Sequence, residues 1–311
     1  MAGDSLIGVH APDFPLGLSW VRSQELSLAG LRGKIIFIDF WTYSCVNCIR
    51  TLPCLKKWYE AYKDKGLVII GIHTPEFQFE KDPENVRRAV EGFGINYPVV
   101  LDPDFLVWNL YANHWWPRHL LIDGEGKIIY DHIGEGAYEE TGDAIKKALG
   151  VGTSDARAVL HSKESPKICY PMTPELYLGY ERGYIGNPSG FKRDTVVGYK
   201  DTDKDHKQNT VYLHGSWMVS REYLEHARGS LDDYLLLNFL GTEVNIVAEK
   251  IGGAGSLLIL LDGRKLPPLT VSHPQMLNLV KRKDAGSAFL KLIPREAGIR
   301  LYTFTFGGCV E

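Results

Sequence analysis

Apolar and polar positions along the first half of the chain follow the patterns of alternating strands and helices. Continuous apolar runs at 35–38 and 67–72 predict buried parallel strands. Between them, apolar residues recur at helical spacing from 46 to 65, and Pro53 falls inside this helix. The same reasoning predicts strands at 97–101, 120–122 and 128–130 and helices at 83–93, 105–111 and 136–149. This alternation predicts an α/β domain with a mixed central sheet flanked by helices.

The second half of the chain has short β-type runs separated by Gly, Pro, Asn and Asp. These runs lie at 210–213, 234–239, 244–247, 257–261 and 301–306. Such spacing is typical of an all-β sandwich or barrel. We therefore predict a first domain over 1–151, a linker over 152–166 and a second domain over 167–311.

Composition narrows the class of protein. Among the 311 residues, 44% are hydrophobic and 23% are charged, which is ordinary for a soluble globular protein. The net charge of −3 gives no electrostatic reason to expect a nucleic-acid partner. Residues 1–5 lack the features of a signal peptide, and no apolar run is long enough for a membrane span. We expect a cytoplasmic protein if Met1 is the native start, or otherwise a preceding targeting or membrane segment.

The stretch Cys45-Val46-Asn47-Cys48 carries the candidate chemistry, because two thiols lie three residues apart where a strand meets a helix. At a helix start, unpaired N–H groups and the helix dipole favour the nucleophilic thiolate. A structural zinc site is the alternative, but it needs four ligands. Cys54, Cys169 and Cys309 supply no second pair of this spacing. The setting predicts a thioredoxin-like dithiol that needs neither a metal nor another cofactor.

Several segments resemble one family of proteins. They are residues 40–53, 73–77, 116–117, 174–180 and 213–217. Together they resemble the DipZ proteins, a branch of the TlpA/ResA thiol–disulfide oxidoreductases, from about residue 8 onward. The resemblance implies a thioredoxin-like domain followed by a jelly roll similar to carbohydrate-binding modules. It also implies an extracytoplasmic location and an upstream electron donor, either a membrane thiol transporter or a thioredoxin system.

The resemblance implies roles for residues around the dithiol. Cys45 is expected to attack protein disulfides and Cys48 to resolve the mixed disulfide. Pro117 is expected to be a cis-proline opposite them. Asp39 stands where thioredoxins hold a buried acid that exchanges a proton with the resolving thiol, and Glu76 is a rival for this role. A carboxylate that is merely hydrogen-bonded or solvated is the alternative for each.

Three aromatic residues are candidates for substrate binding. Trp41 and Tyr43 are expected to shape the surface beside Cys45, although Trp41 can instead be core. The backbone of Trp116 is expected to pair with an extended substrate segment. The histidines show no metal-ligand spacing, so we interpret them as structural.

Two other functions are open. Thr42, three residues before Cys45, and Arg118 after Pro117 suit a peroxiredoxin-like thiol peroxidase, but Ile38 replaces the proline of the peroxidatic motif. The other alternative is a glycan- or protein-binding module that carries a redox domain.

In the second domain, Tyr177, Tyr180, Tyr184 and Trp217 are candidates for a ligand-facing aromatic set. Aromatic residues in short strands are more often core, and this interpretation is the stronger one. Cys169 and Cys309 lie near the two ends of the domain, where terminal strands can be neighbours. We therefore expect that they can pair, which would indicate an oxidising compartment.

Overall fold

The computed structural model describes residues 5–152 and 168–310, which divide between two compact units over 1–163 and 164–311. The linker predicted over 152–166 lies, apart from its first residue, outside the described residues. Within the described ranges, no helix has the length and apolar character that crossing a membrane requires.

The described part of the first unit has six strands and four α-helices, with three short 3-10 helices between them. The strands are β1 (Trp20–Val21), β2 (Ile35–Trp41), β3 (Leu67–His73), β4 (Val99–Leu101), β5 (Arg118–Ile122) and β6 (Ile128–Ile133). The helices are α1 (Val46–Tyr62), α2 (Pro83–Gly92), α3 (Leu106–Leu110) and α4 (Tyr138–Leu149). The predicted elements are therefore all present, with ends that shift by a few residues.

The six strands form one mixed sheet in the order β1-β4-β3-β2-β5-β6. Strand β3 pairs in parallel with β2 and β4, whereas β5 runs antiparallel to both β2 and β6. The prediction of a thioredoxin-like α/β fold with a mixed sheet is confirmed. Because β2 leads directly into α1 and β5 enters antiparallel beside it, the start of α1 and the start of β5 share one end of the sheet.

The central strand β2 is buried on both faces of the sheet. Phe37 and Trp41 pack with α1 side chains such as Leu52 and Trp58 in one core cluster. The alternate residues, such as Phe40, pack in a second cluster on the opposite face. This two-sided burial explains why β2 is a continuous apolar run interrupted by one charge.

The second unit consists of twelve strands. They are β7 (Ile168–Cys169), β8 (Leu176–Tyr177), β9 (Val196–Tyr199), β10 (Thr210–Val219), β11 (Leu224–His226), β12 (Tyr234–Lys250), β13 (Gly255–Leu261), β14 (Arg264–Lys265), β15 (Leu269–Val271), β16 (Gln275–Pro294), β17 (Ile299–Gly307) and β18 (Cys309–Val310). Ten form one sheet, in which every pairing between named strands is antiparallel.

Strand β12 is the centre of this unit, because it pairs with β10, β16 and β17. The prediction of separate strands at 234–239 and 244–247 was wrong. A register shift between Gly241 and Glu243 lets one long strand bend without ending. The predicted all-β second domain is confirmed at this level, as a large antiparallel sheet.

Cys169 and Cys309 are joined by a disulfide, with their Cα atoms 4.0 Å apart. They are register partners in the small sheet formed by β7 and β18. The predicted pairing is therefore confirmed, and it ties together the two ends of the second unit across a separation of 140 residues.

Candidate active site

Cys45 occupies the N-cap position of α1. Its backbone is extended, its carbonyl accepts the first helical hydrogen bond from Ile49, and its Sγ accepts the N–H of Cys48 at 3.2 Å. An N-cap acceptor satisfies a helix N–H group that otherwise has no partner. Cys45 is half-buried, whereas Cys48 is fully buried. The two sulfurs thus differ in access to solvent.

Cys48 is held as a protonated thiol. Burial raises its pKa well above the ordinary value, and the hydrogen bond and charge of Cys45 add to the rise. The charge of Asp39 makes a smaller contribution in the same direction. Cys48 therefore needs a proton acceptor before it can attack a mixed disulfide.

The peptide bond between Trp116 and Pro117 is cis, as predicted. It precedes β5, whose first residue pairs with Phe40 near the end of β2, so the cis-proline lies at the same end of the sheet as the dithiol. The Trp116 side chain is half-buried, and its Nε1 donates to the carbonyl of Thr74 at 3.1 Å. Its pairing with substrate stays a prediction.

Asp39 lies in the middle of β2 and is fully buried on the α1 side of the sheet. Its Oδ1 is 3.2 Å from Nε2 of His119, the residue paired with it on β5. This contact lies outside hydrogen-bond geometry, and among the described residues neither carboxylate oxygen has a hydrogen-bond partner. A buried ionisable group without a hydrogen-bond partner is uncommon in a protein core and is characteristic of functional sites.

Glu80 is a buried carboxylate beside the dithiol loop that sequence reasoning missed. Its Oε1 accepts from the hydroxyl groups of Thr42 and Ser44 and from the N–H of Ser44. Its Oε2 accepts from the N–H groups of Glu76 and Phe77. One side chain thus joins the loop that precedes Cys45 to the loop that follows β3.

Burial raises the pKa of Glu80 to about 7, although the hydroxyl donors of Thr42 and Ser44 oppose the rise. Glu76, the residue proposed from sequence, is half-buried and reaches this site through its backbone N–H. The sequence signal for Glu80 is weak, consisting only of an acidic residue inside the aromatic segment 77–80.

The expectation that Trp41 and Tyr43 shape the surface beside Cys45 was wrong, because both side chains are buried. Trp41 packs edge-on against His73, and Tyr43 stacks on the same imidazole with ring centres 5.5 Å apart. Burial lowers the pKa of His73 to about 3, so this imidazole is neutral near pH 7. The rings of Trp41 and Tyr43 thus pack beneath the loop that precedes Cys45 and do not form its surface.

The aromatic candidates of the second unit separate into three environments. Trp217 is a core residue whose Nε1 donates to the carbonyl of His214, so the stronger interpretation, that of a core aromatic, is confirmed for it and its candidate role as a ligand-facing residue is wrong. Tyr180 is half-buried and packs against the core. Tyr177 and the exposed Tyr184 line a small cleft.

Comparisons with known proteins agree with this geometry. The AhpC/TSA family model matches residues 7–131, and the thioredoxin-like C-terminal domain model matches residues 173–307. Thiol-disulfide oxidoreductase ResA of Bacillus anthracis is 30% identical over 141 residues, which cover 45% of this chain and 78% of ResA. The chain belongs to the thioredoxin-like thiol–disulfide oxidoreductase family.

Two other similarities extend the comparison. Protein DipZ of Mycobacterium tuberculosis is 33% identical over 304 residues, which cover 96% of this chain. The chain spans 43% of the length of that relative. The crystal structure of a putative thiol:disulfide interchange protein DsbE from Chlorobium tepidum matches 46% of this chain and 98% of its own, at 25% identity and a TM-score of 0.42. The predicted resemblance to DipZ and ResA is confirmed.

We predict that alkylation distinguishes the two thiols of the reduced protein. Iodoacetamide at pH 7 should modify Cys45 at least tenfold faster than Cys48, because Cys48 is buried and burial keeps it protonated. Peptide mass spectrometry over a time course measures both rates. Cys48→Ser should leave the rate at Cys45 within a few-fold. Equal modification of both cysteines would contradict this arrangement.

A second prediction concerns the pH dependence of stability. Because the folded pKa of Glu80 is raised to about 7, its protonated form is favoured by folding. Its stabilising contribution is complete below the unfolded pKa of about 4.3 and is lost as pH rises to 7. The free energy of unfolding should fall by on the order of 3 kcal/mol over this range relative to Glu80→Gln.

Urea unfolding monitored by tryptophan fluorescence measures the change in the free energy of unfolding with pH. The signal reports on the first unit, because six of the seven tryptophans lie there. The comparison uses the difference in slope between pH 4.5 and 7.5, so a constant offset in stability of Glu80→Gln does not affect it. Parallel pH profiles would show that Glu80 does not titrate in this range.

Proposed function

We propose that the chain catalyses thiol–disulfide exchange and reduces protein disulfides through a mixed disulfide on Cys45. The observation that carries this proposal is the asymmetry of the dithiol. Cys45 is a half-buried N-cap sulfur with an N–H donor, whereas Cys48 is a buried thiol one turn into the helix. This arrangement suits an attacking thiolate and a resolving thiol.

The proposed reaction has two exchanges. The Cys45 thiolate attacks one sulfur of the substrate disulfide, forms a mixed disulfide and releases the other substrate sulfur as a thiolate. Cys48 then loses its proton and attacks Cys45 Sγ, which releases the second substrate sulfur and closes the Cys45–Cys48 disulfide. The substrate gains two electrons, and the dithiol loses them. The site needs no further cofactor in this scheme.

The geometry disfavours a peroxidase. Peroxide reduction was an alternative because Thr42 and Arg118 match expectations for that chemistry. Arg118 is paired with Phe40 across the strands, on the sheet face opposite α1, and its guanidinium is buried against the carboxylate of Asp131. It is therefore not directed toward the α1 face, where the dithiol packs.

Insulin reduction with dithiothreitol as electron donor tests the function. The unchanged protein should accelerate precipitation of the insulin B chain, and Cys45→Ser should reduce the rate to that of dithiothreitol alone, because no other residue supplies the attacking sulfur. Cys54→Ser is the matched control and should retain activity. Peroxide consumption without insulin reduction would instead indicate the peroxidase.

The same proposal includes partners and location. Sustained reduction requires an upstream donor that returns electrons to Cys45–Cys48, and a membrane thiol transporter or a thioredoxin system has suitable chemistry. The disulfide between Cys169 and Cys309 supports an extracytoplasmic location, because such bonds persist in oxidising compartments.

We further propose that the second unit is a jelly roll that binds glycan. The supporting observation is a small, solvent-open cleft lined by Tyr177, Arg182, Tyr184 and Asn209. Sugar rings present C–H faces that stack on aromatic rings, and the polar groups can hydrogen-bond to hydroxyls. A protein ligand for this cleft is the alternative.

Binding of the full chain to an oligosaccharide array tests the second proposal. Tyr184→Ala should weaken any specific binding by about tenfold, because it removes the exposed aromatic wall of the cleft. Tyr170→Ala removes another exposed tyrosine outside the cleft and serves as the matched control. Equal effects of both substitutions, or no specific binding, would contradict a glycan site there.

A further inference from the structure

Two histidines on successive strands lie in a row between the buried carboxylate of Asp39 and the protein surface. His119 on β5 contacts Asp39 at 3.2 Å, and His132 is its register partner on β6. The two imidazole rings are stacked, with centres 6.2 Å apart and planes inclined by 28°. His119 is buried, whereas His132 is half-buried. The series therefore leads from below the dithiol toward the outside of the sheet.

Three of the four ring nitrogen atoms in this series have no hydrogen-bond partner among the described residues. Among the described residues, neither ring nitrogen of His119 has a hydrogen-bond partner, and Nε2 of His132 also lacks one. Structural histidines in a core normally have such partners. Three buried nitrogen atoms that lack hydrogen-bond partners are better suited to exchanging protons, either directly or through a bridging water.

Strand β3 supplies no charged partner for Asp39. The residue paired with Asp39 on that side is Gly71, and a Cβ atom there would lie 2.9 Å from Nε1 of Trp41. The indole thus occupies the space that a side chain would need. His119 lies within ion-pair distance of Asp39, so it has the position required to exchange the proton of that acid.

The surroundings of His132, the half-buried histidine of the pair, favour release of its proton. Burial lowers the pKa of His132, and the charge of His119 lowers it further, while Glu140 on α4 opposes this. A neutral His132 can accept a proton and return it to solvent. The titratable groups facing the series are Cys48 on α1, Tyr97 before β4, Tyr130 on β6 and Glu140 on α4, while the backbone at Gly134 and Glu135 hydrogen-bonds to His132.

We propose that His119 and His132 form a proton relay that connects Asp39 with solvent during resolution of the mixed disulfide. The proposal rests on the exchange reaction proposed above. Asp39 takes the proton of Cys48 as the Cys48 sulfur attacks Cys45, and the electron pair of the broken S–S bond leaves with the substrate sulfur. Asp39 then passes its proton to Nε2 of His119, which releases one from Nδ1 toward His132.

The reaction of the reduced protein with dithiobis(nitrobenzoate) separates the relevant steps. Attack by Cys45 releases the first nitrothiobenzoate, and attack by Cys48 on the mixed disulfide releases the second. Stopped-flow absorbance records both phases in one experiment. His119→Gln and His132→Ala should slow the second phase by about tenfold to a hundredfold and leave the first within a few-fold.

Added imidazole should restore the second phase of His132→Ala, because it replaces a half-exposed proton carrier. His10→Ala, at an exposed histidine of the same unit, is the control and should leave both phases unchanged. An unchanged second phase in both relay variants, or equal slowing of both phases without rescue, would overturn the relay. Absence of the first phase in the unchanged protein would instead overturn the exchange reaction, and the relay with it.

Discussion

The start of α1 directly after β2 is the constraint on which the dithiol chemistry depends. The parallel pair β2–β3 fixes where the central strand ends, and the loop 42–44 turns the chain into the helix. Because Cys45 is the N-cap, its sulfur receives the N–H of Cys48, and the same helical turn buries Cys48. One backbone arrangement thereby gives two identical side chains different access to solvent, and burial raises the pKa of Cys48.

Two buried carboxylates lie around this helix start and have different surroundings. Glu80 accepts five hydrogen bonds from the loops on either side of it, so its main effect is to hold the segment before Cys45 in place. Asp39 accepts no hydrogen bond from the described residues and contacts only an imidazole within ion-pair distance. Saturated hydrogen bonding favours a positioning role, whereas an unsatisfied acid beneath a thiol favours proton exchange.

The sequence predicts the elements of the first unit well because β2 and β3 are buried on both faces and therefore appear as uninterrupted apolar runs. The dithiol follows from its local motif, and the cis-proline was expected from the family resemblance. Glu80 was not predictable, because its donors Thr42 and Ser44 come from a loop about 36 residues earlier in the chain. In the second unit, β12 continues through Gly241, although a glycine at such a position predicts the end of a strand. Only its pairing with three other strands explains that continuity.

The position of Gly71 connects packing with the proposed proton path. Its lack of a side chain allows the indole of Trp41 to lie against β3, and this indole fills the space beside Asp39. Within the sheet, the titratable neighbour of Asp39 is therefore on the other strand, where His119 is paired with Asp39 and His132 with His119. The proposed proton path from Asp39 therefore runs across β5 toward the β6 edge of the sheet, away from β3. Proton exchange at that edge does not need the surface around Cys45, which a bound substrate would cover.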